Sequence, residues 1–319
     1  VLLGVFVIVS LGFLIFGFFI PKIFNGLKGD RIEIVYWGLG REPEVLIPII
    51  SDFEAKYPQI KVTYTKQDTA QYRERRIART DNGTGPDIFR FHNTWIPMIS
   101  SILLPLPESV ISKEDFSTNF YPVTREDLIR NGAIYGVPIG IDTLSLYINK
   151  DLLSAGGLDI PTTWIDFVNY GRELTVKDEN NKIKIAGAAM GTSNNIDYAS
   201  DIVSMLMAQN GVDLKNISGN IPAASDALNF YVSFAQTPGN VWDETLDKSL
   251  RAFANGSLAM HFGYARDYSQ IVSINPNLSF EIHPVPVLSD RDKTIASYWV
   301  EGVSSKTKHQ KEAFIFLKY

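Results

Sequence analysis

Aromatic and acidic side chains stand at loop positions of this chain where they could hold a polar molecule. Trp37 and Glu42 follow the first predicted strand, Tyr198 precedes a strongly apolar predicted helix, and Trp242 follows a Pro-Gly turn. A ring can stack on a weakly apolar ligand face, and a carboxylate accepts hydrogen bonds from hydroxyl groups. The structural alternatives are a core position for Trp37, a helix N-terminus for Glu42 and surface packing for Trp242.

Composition argues against most other kinds of site. The 319 residues include no Cys and only four His, without an H-E-x-x-H pattern, so we expect neither a thiol nucleophile nor a catalytic metal. No G-x-S-x-G elbow, P-loop or dinucleotide fingerprint occurs. A net charge of -5 gives no basic footprint for nucleic acid. The sequence therefore favours an uncharged polar ligand that is bound without a cofactor.

Alternating strand and helix patterns must position these side chains. Strand patterns at 31–37, 60–64 and 87–91 alternate with helix patterns at 44–57 and 70–81, which predicts a parallel α/β sheet. A second α/β region follows, and a chain of 319 residues suits two lobes of about 150 residues each. The main elements predicted in this second region are strands at 143–149, 259–262 and 280–285 and helices at 199–210 and 225–235.

Residues 1–20 contain no charged side chain. As a helix they would span roughly 30 Å, the thickness of a hydrocarbon core. Bulky residues stand where a signal protease needs small ones, so we interpret residues 1–20 as a transmembrane signal anchor and 21–30 as a tether. The alternative is a long signal peptide that is cut after Gly26 or Gly29.

Several motifs together resemble the extracellular solute-binding proteins of carbohydrate ABC importers, the group that includes maltose-binding protein. The resemblance extends over about residues 31–319, and it is strong because the motifs share the family's order and spacing. The most specific motif is GVPIGIDTLSLYINKDLL at 136–153, and the others are IVYWG at 34–38, FEAKYPQIKV at 53–62, GPDI at 85–88, PTTW at 161–164 and FANGSLAM at 253–260.

The resemblance implies an α/β, two-lobe fold of the periplasmic binding protein type II class, with a hinge. It assigns 31–141 and 283–319 to lobe 1 and 142–282 to lobe 2, whose C-terminal part is expected to be missing from this chain. The implied function is capture of a sugar or oligosaccharide in an interlobe cleft by hinge closure, for the permease subunits of an ABC importer. We expect a monomer without enzymatic activity, held on the extracytoplasmic side of the cell membrane by its single N-terminal span.

The resemblance also implies ligand-binding roles for five residues. Asp142 stands where the family's matching motif has an acidic ligand residue, and Tyr264 where the family has a ligand-contacting aromatic residue. The loop with Asn93 and the segment with Trp299 and Glu301 are expected in the cleft. The structural alternatives are a turn for Asn93 and a hinge turn or helix cap for Asp142.

Two other functions stay open at this stage. A glycosidase would use two carboxylates, and the many Asp and Glu residues leave such a pair possible. A sensor or adhesion module would bind a glycan without feeding a transporter. The ligand could also be another polar solute, such as a polyol or a glycerol phosphodiester.

Overall fold

The computed structural model describes residues 31–68, 70–288 and 291–319, which form two compact units. Unit 1 contains residues 31–140 together with Tyr298–Tyr319, and unit 2 is Ile141–Ser297. The predicted anchor at 1–20 and the predicted tether at 21–30 lie outside the described residues. Two α/β units agree with the two α/β regions predicted from the sequence.

Short strands and short helices alternate through both units. The strands are β1 (Ile32–Gly38), β2 (Ile60–Lys66), β3 (Ile88–His92), β4 (Ile129–Arg130), β5 (Ala133–Ile134), β6 (Val137–Pro138), β7 (Asp142–Thr143), β8 (Ser145–Asn149), β9 (Val176–Lys177), β10 (Ile183–Ala188), β11 (Leu258–Gly263), β12 (Phe280–His283), β13 (Ala296–Ser297) and β14 (Trp299–Val303). The helices are α1 (Pro43–Lys56), α2 (Tyr72–Asp81), α3 (Ile96–Ile99), α4 (Lys113–Asn119), α5 (Pro122–Leu128), α6 (Lys150–Ala155), α7 (Trp164–Glu173), α8 (Ala199–Gln209), α9 (Ile221–Ser233), α10 (Ser249–Ala254), α11 (Ala265–Ile274) and α12 (Gln310–Lys318).

The sheet of unit 1 has the strand order β2-β1-β3-β14-β6. Strand β1 runs parallel to β2 and β3, which confirms the parallel sheet predicted from the alternating pattern. Strand β14 returns antiparallel to β3 and brings Trp299 opposite His92. Fully buried Phe53 of α1 packs in edge-to-face contact with Phe316 of α12. Because β1 and β3 are parallel neighbours, their carboxyl ends lie at the same edge of the sheet, where ligands bind in open α/β sheets.

The sheet of unit 2 has the order β12-β8-β11-β10-β9. Strands β10 and β11 are parallel, and β8 lies antiparallel to both β11 and β12. The core contains large aromatic side chains, including Trp164, Phe167 and Phe262, whose rings pack against one another. Helix α7 begins after Thr163, whose hydroxyl accepts a hydrogen bond from the Asp166 backbone amide at 3.2 Å.

The second segment of unit 1 begins at Tyr298 and not at residue 283. Residues 283–297 stay with unit 2 because His283 ends β12, which pairs with β8, and β13 pairs with β7. The Gln209 side chain also donates to the carbonyl of Pro286 at 3.1 Å. The pairing of β12 and β13 with strands of unit 2 therefore sets the boundary between unit 2 and the second segment of unit 1.

The sequence pattern does not predict strand β10, which lies inside the sheet of unit 2. Its sequence ends in small residues, and a Cβ at Gly187 would lie 1.8 Å from the carbonyl oxygen of Gly171 in α7. Glycine is therefore needed at 187 for helix α7 to approach the sheet this closely. The small buried residues at 186–188, which end the strand, lack the alternation on which strand prediction depends.

Candidate functional site

Three rings gather at the carboxyl end of β3 in unit 1. The Trp299 ring lies 5.2 Å from His92 and 5.5 Å from Trp95 between centroids, both in edge-to-face geometry. All three side chains are half-buried. The Arg73 guanidinium lies 6.0 Å from the Trp95 centroid. Unit 1 thus presents a braced, partly exposed aromatic cluster, which suits contact with the weakly apolar face of a ring-shaped ligand.

Asn93, directly after β3, is buried and engaged in a local network. Its Nδ2 donates to Asp127 Oδ2 at 2.9 Å, and the Tyr298 hydroxyl donates to the same oxygen at 2.7 Å. The backbone N–H of Asn93 also donates to the backbone carbonyl of Tyr298 at 3.0 Å. Burial and the Asp127 carboxylate raise the pKa of Tyr298. Asn93 therefore fixes the loop that follows β3. Asp127 is half-buried and adds a polar group at this edge that the sequence does not indicate.

Asp142 of unit 2 lies beside the first turn of α11. Its Oδ1 accepts from the Thr143 amide at 2.9 Å and from the Ala265 amide at 3.1 Å. The helix N-terminus carries a partial positive charge that attracts the negatively charged side chain. The side chain is half-buried, so the carboxylate is held in place and remains accessible.

A second network of unit 2 surrounds Tyr198. Its hydroxyl donates to Asp267 Oδ1 at 2.8 Å and accepts from Arg266 Nε at 3.2 Å and Nη2 at 3.0 Å. Burial works to lower the pKa of Arg266, but the Tyr198 hydroxyl and the charges of Asp267 and Asp142 outweigh burial and raise it. The guanidinium thus stays charged at the surface of unit 2.

Tyr264 supports this network from inside the unit. It is buried, and its hydroxyl donates to Asp201 Oδ2 at 2.8 Å. Its ring meets the Tyr198 ring edge-to-face, 4.9 Å between centroids. Its carbonyl accepts from the Tyr147 hydroxyl at 2.7 Å. The structure therefore gives Tyr264 a bracing role beneath Tyr198.

Residues 39–319 match the family described as bacterial extracellular solute-binding protein. The chain belongs to this family. The match extends through both units and ends at Tyr319. Family members are extracellular, which assigns the binding units to the extracytoplasmic side.

Named relatives and a solved structure agree with this assignment. The chain is 24% identical over 319 residues to the multiple sugar-binding protein of Streptococcus mutans, covering 92% of this chain and 71% of that protein. It is 23% identical to an uncharacterized ABC transporter extracellular-binding protein of Pyrococcus horikoshii, covering 81% of this chain and 61% of that protein. It shares the fold of an ABC transporter solute-binding protein from Thermotoga lettingae bound with α-D-tagatose, with TM-score 0.71, 20% identity and coverage of 90% and 76%.

Three candidate ligand residues of this solute-binding protein lie in its cores. Trp37 is buried with the Arg79 guanidinium 5.5 Å from its ring centroid. Fully buried Trp242 donates its indole N–H to Asn195 at 3.0 Å. Buried Glu301 accepts from Arg90 Nε at 2.6 Å, and burial raises the pKa of its carboxyl although Arg90 opposes this. Burial agrees with the core alternative for Trp37. Trp242 lies in the core and not on the surface, and the Glu301 carboxylate is paired with Arg90.

The other candidates are divided between the units. Glu42 is exposed and forms an ion pair with Lys66. Trp299 joins the aromatic cluster of unit 1, and Asp142 and Tyr198 lie near α11 in unit 2. Sequence reasoning missed Arg266, whose position one residue after Ala265 gave no signal of its contacts.

Two kinds of feature are absent from the described residues, namely a helix that could cross a membrane and a cluster of metal ligands. Within 31–68, 70–288 and 291–319, no helix combines the length and apolar character needed to cross a bilayer. Within the same ranges, no three His, Asp or Glu side chains converge as metal ligands would.

Proposed function

We propose that this chain is the sugar-binding component of an ABC importer, which captures a sugar or oligosaccharide outside the cell. The observation that carries the proposal is the family match over residues 39–319. The sugar specificity of the Streptococcus mutans relative and the tagatose bound to the Thermotoga lettingae protein support a sugar as the ligand class. The cleft and its closure by a hinge stay predictions from the sequence.

The geometry within each unit supports the same ligand class. A sugar offers hydroxyls at its edge and weakly apolar C–H faces, so its site needs both ring faces and hydrogen-bonding groups. Trp299 and Trp95 supply half-buried rings in unit 1, and Asp142 supplies an accessible carboxylate in unit 2. We assign the ligand contacts to these residues, with binding but no turnover.

A thermal-shift screen tests the proposal with a defined sugar panel of maltotetraose, mannotriose, arabinotriose and D-tagatose. A ligand that binds only the folded protein raises its melting temperature. We expect at least one panel sugar to do so, with the sugar recovered unchanged after incubation. Release of shorter products would support the glycosidase alternative, and a panel without any shift would contradict sugar capture.

We also propose that residues 1–20 anchor the protein in the cell membrane and that 21–30 act as the tether. The support is the uncharged 20-residue run alone. Cells that express the full chain should retain it in the membrane fraction after a salt wash, whereas a chain beginning at residue 31 should stay soluble. Release of the full chain in a shortened form would favour the cleaved signal peptide.

A further inference from the structure

Arg266 is exposed and yet held in one position. Its side chain is 62% accessible to solvent, but two of its nitrogens donate to the Tyr198 hydroxyl. The guanidinium carbon also lies 5.4 Å from the Tyr198 ring centroid. An exposed Arg ordinarily samples many rotamers, so this double attachment reduces the entropy lost when a ligand binds.

The same contacts leave Tyr198 little to offer a ligand. A phenol hydroxyl has one hydrogen to donate and two lone pairs that accept. Its hydrogen goes to Asp267, and two Arg266 nitrogens use its acceptor capacity. Arg266 also lies over the ring itself. At this position the guanidinium is therefore the group that meets solvent.

The foundation of this arrangement lies in the core of unit 2. Asp267 is fully buried, and its two oxygens accept from the Tyr198 hydroxyl at 2.8 Å and the Tyr264 amide at 3.0 Å. A buried carboxylate with fixed donors has no freedom to reorient. The series Asp267, Tyr198, Arg266 thus runs from the core to the surface and fixes the direction of the guanidinium.

Asp142 of β7 supplies the complementary group beside the first turn of α11. It accepts from the amide of Ala265, the residue directly before Arg266. A carboxylate only accepts hydrogen bonds, whereas a guanidinium only donates them. A ligand hydroxyl does both, so neighbouring hydroxyls can donate to Asp142 and accept from Arg266.

We propose that Arg266 is a specificity-determining residue, which donates to a ligand hydroxyl next to the hydroxyl that Asp142 accepts. The pair selects a neutral vicinal diol, as in a sugar. An anionic group would be repelled by Asp142, and a cationic group by Arg266. This inference rests on the proposed function and adds a named donor to it.

The test is calorimetric titration of the wild-type chain, Arg266→Met and Arg251→Met with the sugar panel. Removing charge-assisted hydrogen bonds should weaken the binding of a panel sugar by about ten- to hundredfold in Arg266→Met. Arg251 is an exposed Arg of α10 in the same unit, and Arg251→Met should bind like wild type. Because Arg266 is mostly exposed, the melting temperature of Arg266→Met should stay close to that of wild type.

Tyr198→Phe separates positioning from contact. The variant keeps the ring and loses the hydroxyl that holds the guanidinium, so we expect a smaller loss of about two- to tenfold. Combined with Arg266→Met, it should add no further loss, because the hydroxyl acts through Arg266. If the double variant instead lost the sum of the two single losses, Tyr198 would act on the sugar independently of Arg266. That result would overturn the assignment of Tyr198 as the residue that positions Arg266.

Two failures are distinguishable. If wild type binds a panel sugar and Arg266→Met binds it equally well, Arg266 is only a brace for Tyr198 and the inference is overturned alone. If wild type binds no panel sugar, sugar capture fails and the inference falls with it.

Discussion

Unit 1 and unit 2 distribute charges and rings in opposite ways. Unit 1 buries the Arg90–Glu301 ion pair within its sheet and leaves the Trp299 ring half-exposed. Unit 2 buries Trp242 completely and leaves the Asp142 carboxylate half-exposed. Glu301 of unit 1 and Trp242 of unit 2 are therefore structural. Asp142 of unit 2 and Trp299 of unit 1 have similar side chains but remain accessible.

This difference shows that side-chain type alone does not identify a ligand residue. A buried charge needs a partner, and a buried Trp needs an acceptor for its N–H. Glu301 and Trp242 each meet such a requirement inside their own units. If the units differ in this way, replacing a buried candidate should lower stability, whereas replacing an accessible candidate should mainly lower affinity.

The largest expected effect is on the stability of unit 1. Glu301→Ala leaves the Arg90 guanidinium buried without its carboxylate, and breaking such a pair costs about 3–5 kcal/mol. Urea denaturation should show this loss of unfolding free energy. The control Glu33→Ala breaks the half-exposed pair with Lys61 and should cost at most about 1 kcal/mol. A stable Glu301→Ala protein with weakened sugar binding would instead make Glu301 a ligand residue.

The second prediction concerns His261, which is fully buried in unit 2. Burial lowers its pKa from 6.5 to about 4, and its two ring nitrogens have no hydrogen-bond partner among the described residues. The unfolded chain takes up a proton below pH 6.5 and the folded chain only near pH 4. Stability should therefore fall between these values as pH decreases, by about 3 kcal/mol in total.

Urea denaturation of wild type and His261→Leu across this pH range checks the prediction. The variant should lose most of the decrease, since leucine does not titrate. The control His283→Gln replaces a histidine that is partly exposed beside Glu281 and should retain the decrease. An equal pH dependence in wild type and His261→Leu would mean that other groups cause it.

Much of the fold followed from local sequence pattern. Strands β1 and β2 and helix α1 have the periodicity of half-buried elements, and their predicted bounds agree with the structure within two residues. Strand β10 was missed because its small residues are selected by the close approach of Gly171, which is a tertiary requirement. Helix α11 was missed because its cap is formed by Tyr264 and Asp267 and not by one of the usual small polar residues.

The candidate site could be predicted only in part. Asp142 and Trp299 lie in segments that the family resemblance indicated, and both are accessible. The role of Glu301 depends on Arg90, which lies 211 residues away in the sequence. Arg266 acquires its fixed geometry from Tyr198, 68 residues earlier. Contacts at such separations leave no periodic signal, so only the folded structure distinguishes these residues.

The third prediction concerns ligand affinity in unit 2. Asp142→Ala removes the accessible carboxylate and should weaken sugar binding by about 1.5–3 kcal/mol, the range for hydrogen bonds to charged groups. Calorimetry with a panel sugar measures the change. The control Asp166→Ala removes a carboxylate from the first turn of α7, which should reduce stability and leave affinity unchanged. Unchanged affinity in Asp142→Ala would remove Asp142 from the site.

The smallest expected effect is on stacking in unit 1. Trp299→Ala removes a half-buried ring, and an aromatic contact is worth about 0.5–1.5 kcal/mol beyond its buried area. The variant should bind a panel sugar more weakly and stay folded, with a modest fall in melting temperature from the lost ring contacts to His92 and Trp95.

Trp242→Phe is the matched change in the core of unit 2. It removes the N–H donor to Asn195, a hydrogen bond worth about 1 kcal/mol, and it also leaves space in the core. It should therefore lower stability by at least that amount and leave affinity unaltered. The two variants together test whether each unit uses its indole differently. If Trp299→Ala unfolded readily and still bound the sugar normally, Trp299 would be a structural residue like Trp242. The ring contact to the sugar would then have to come from Trp95.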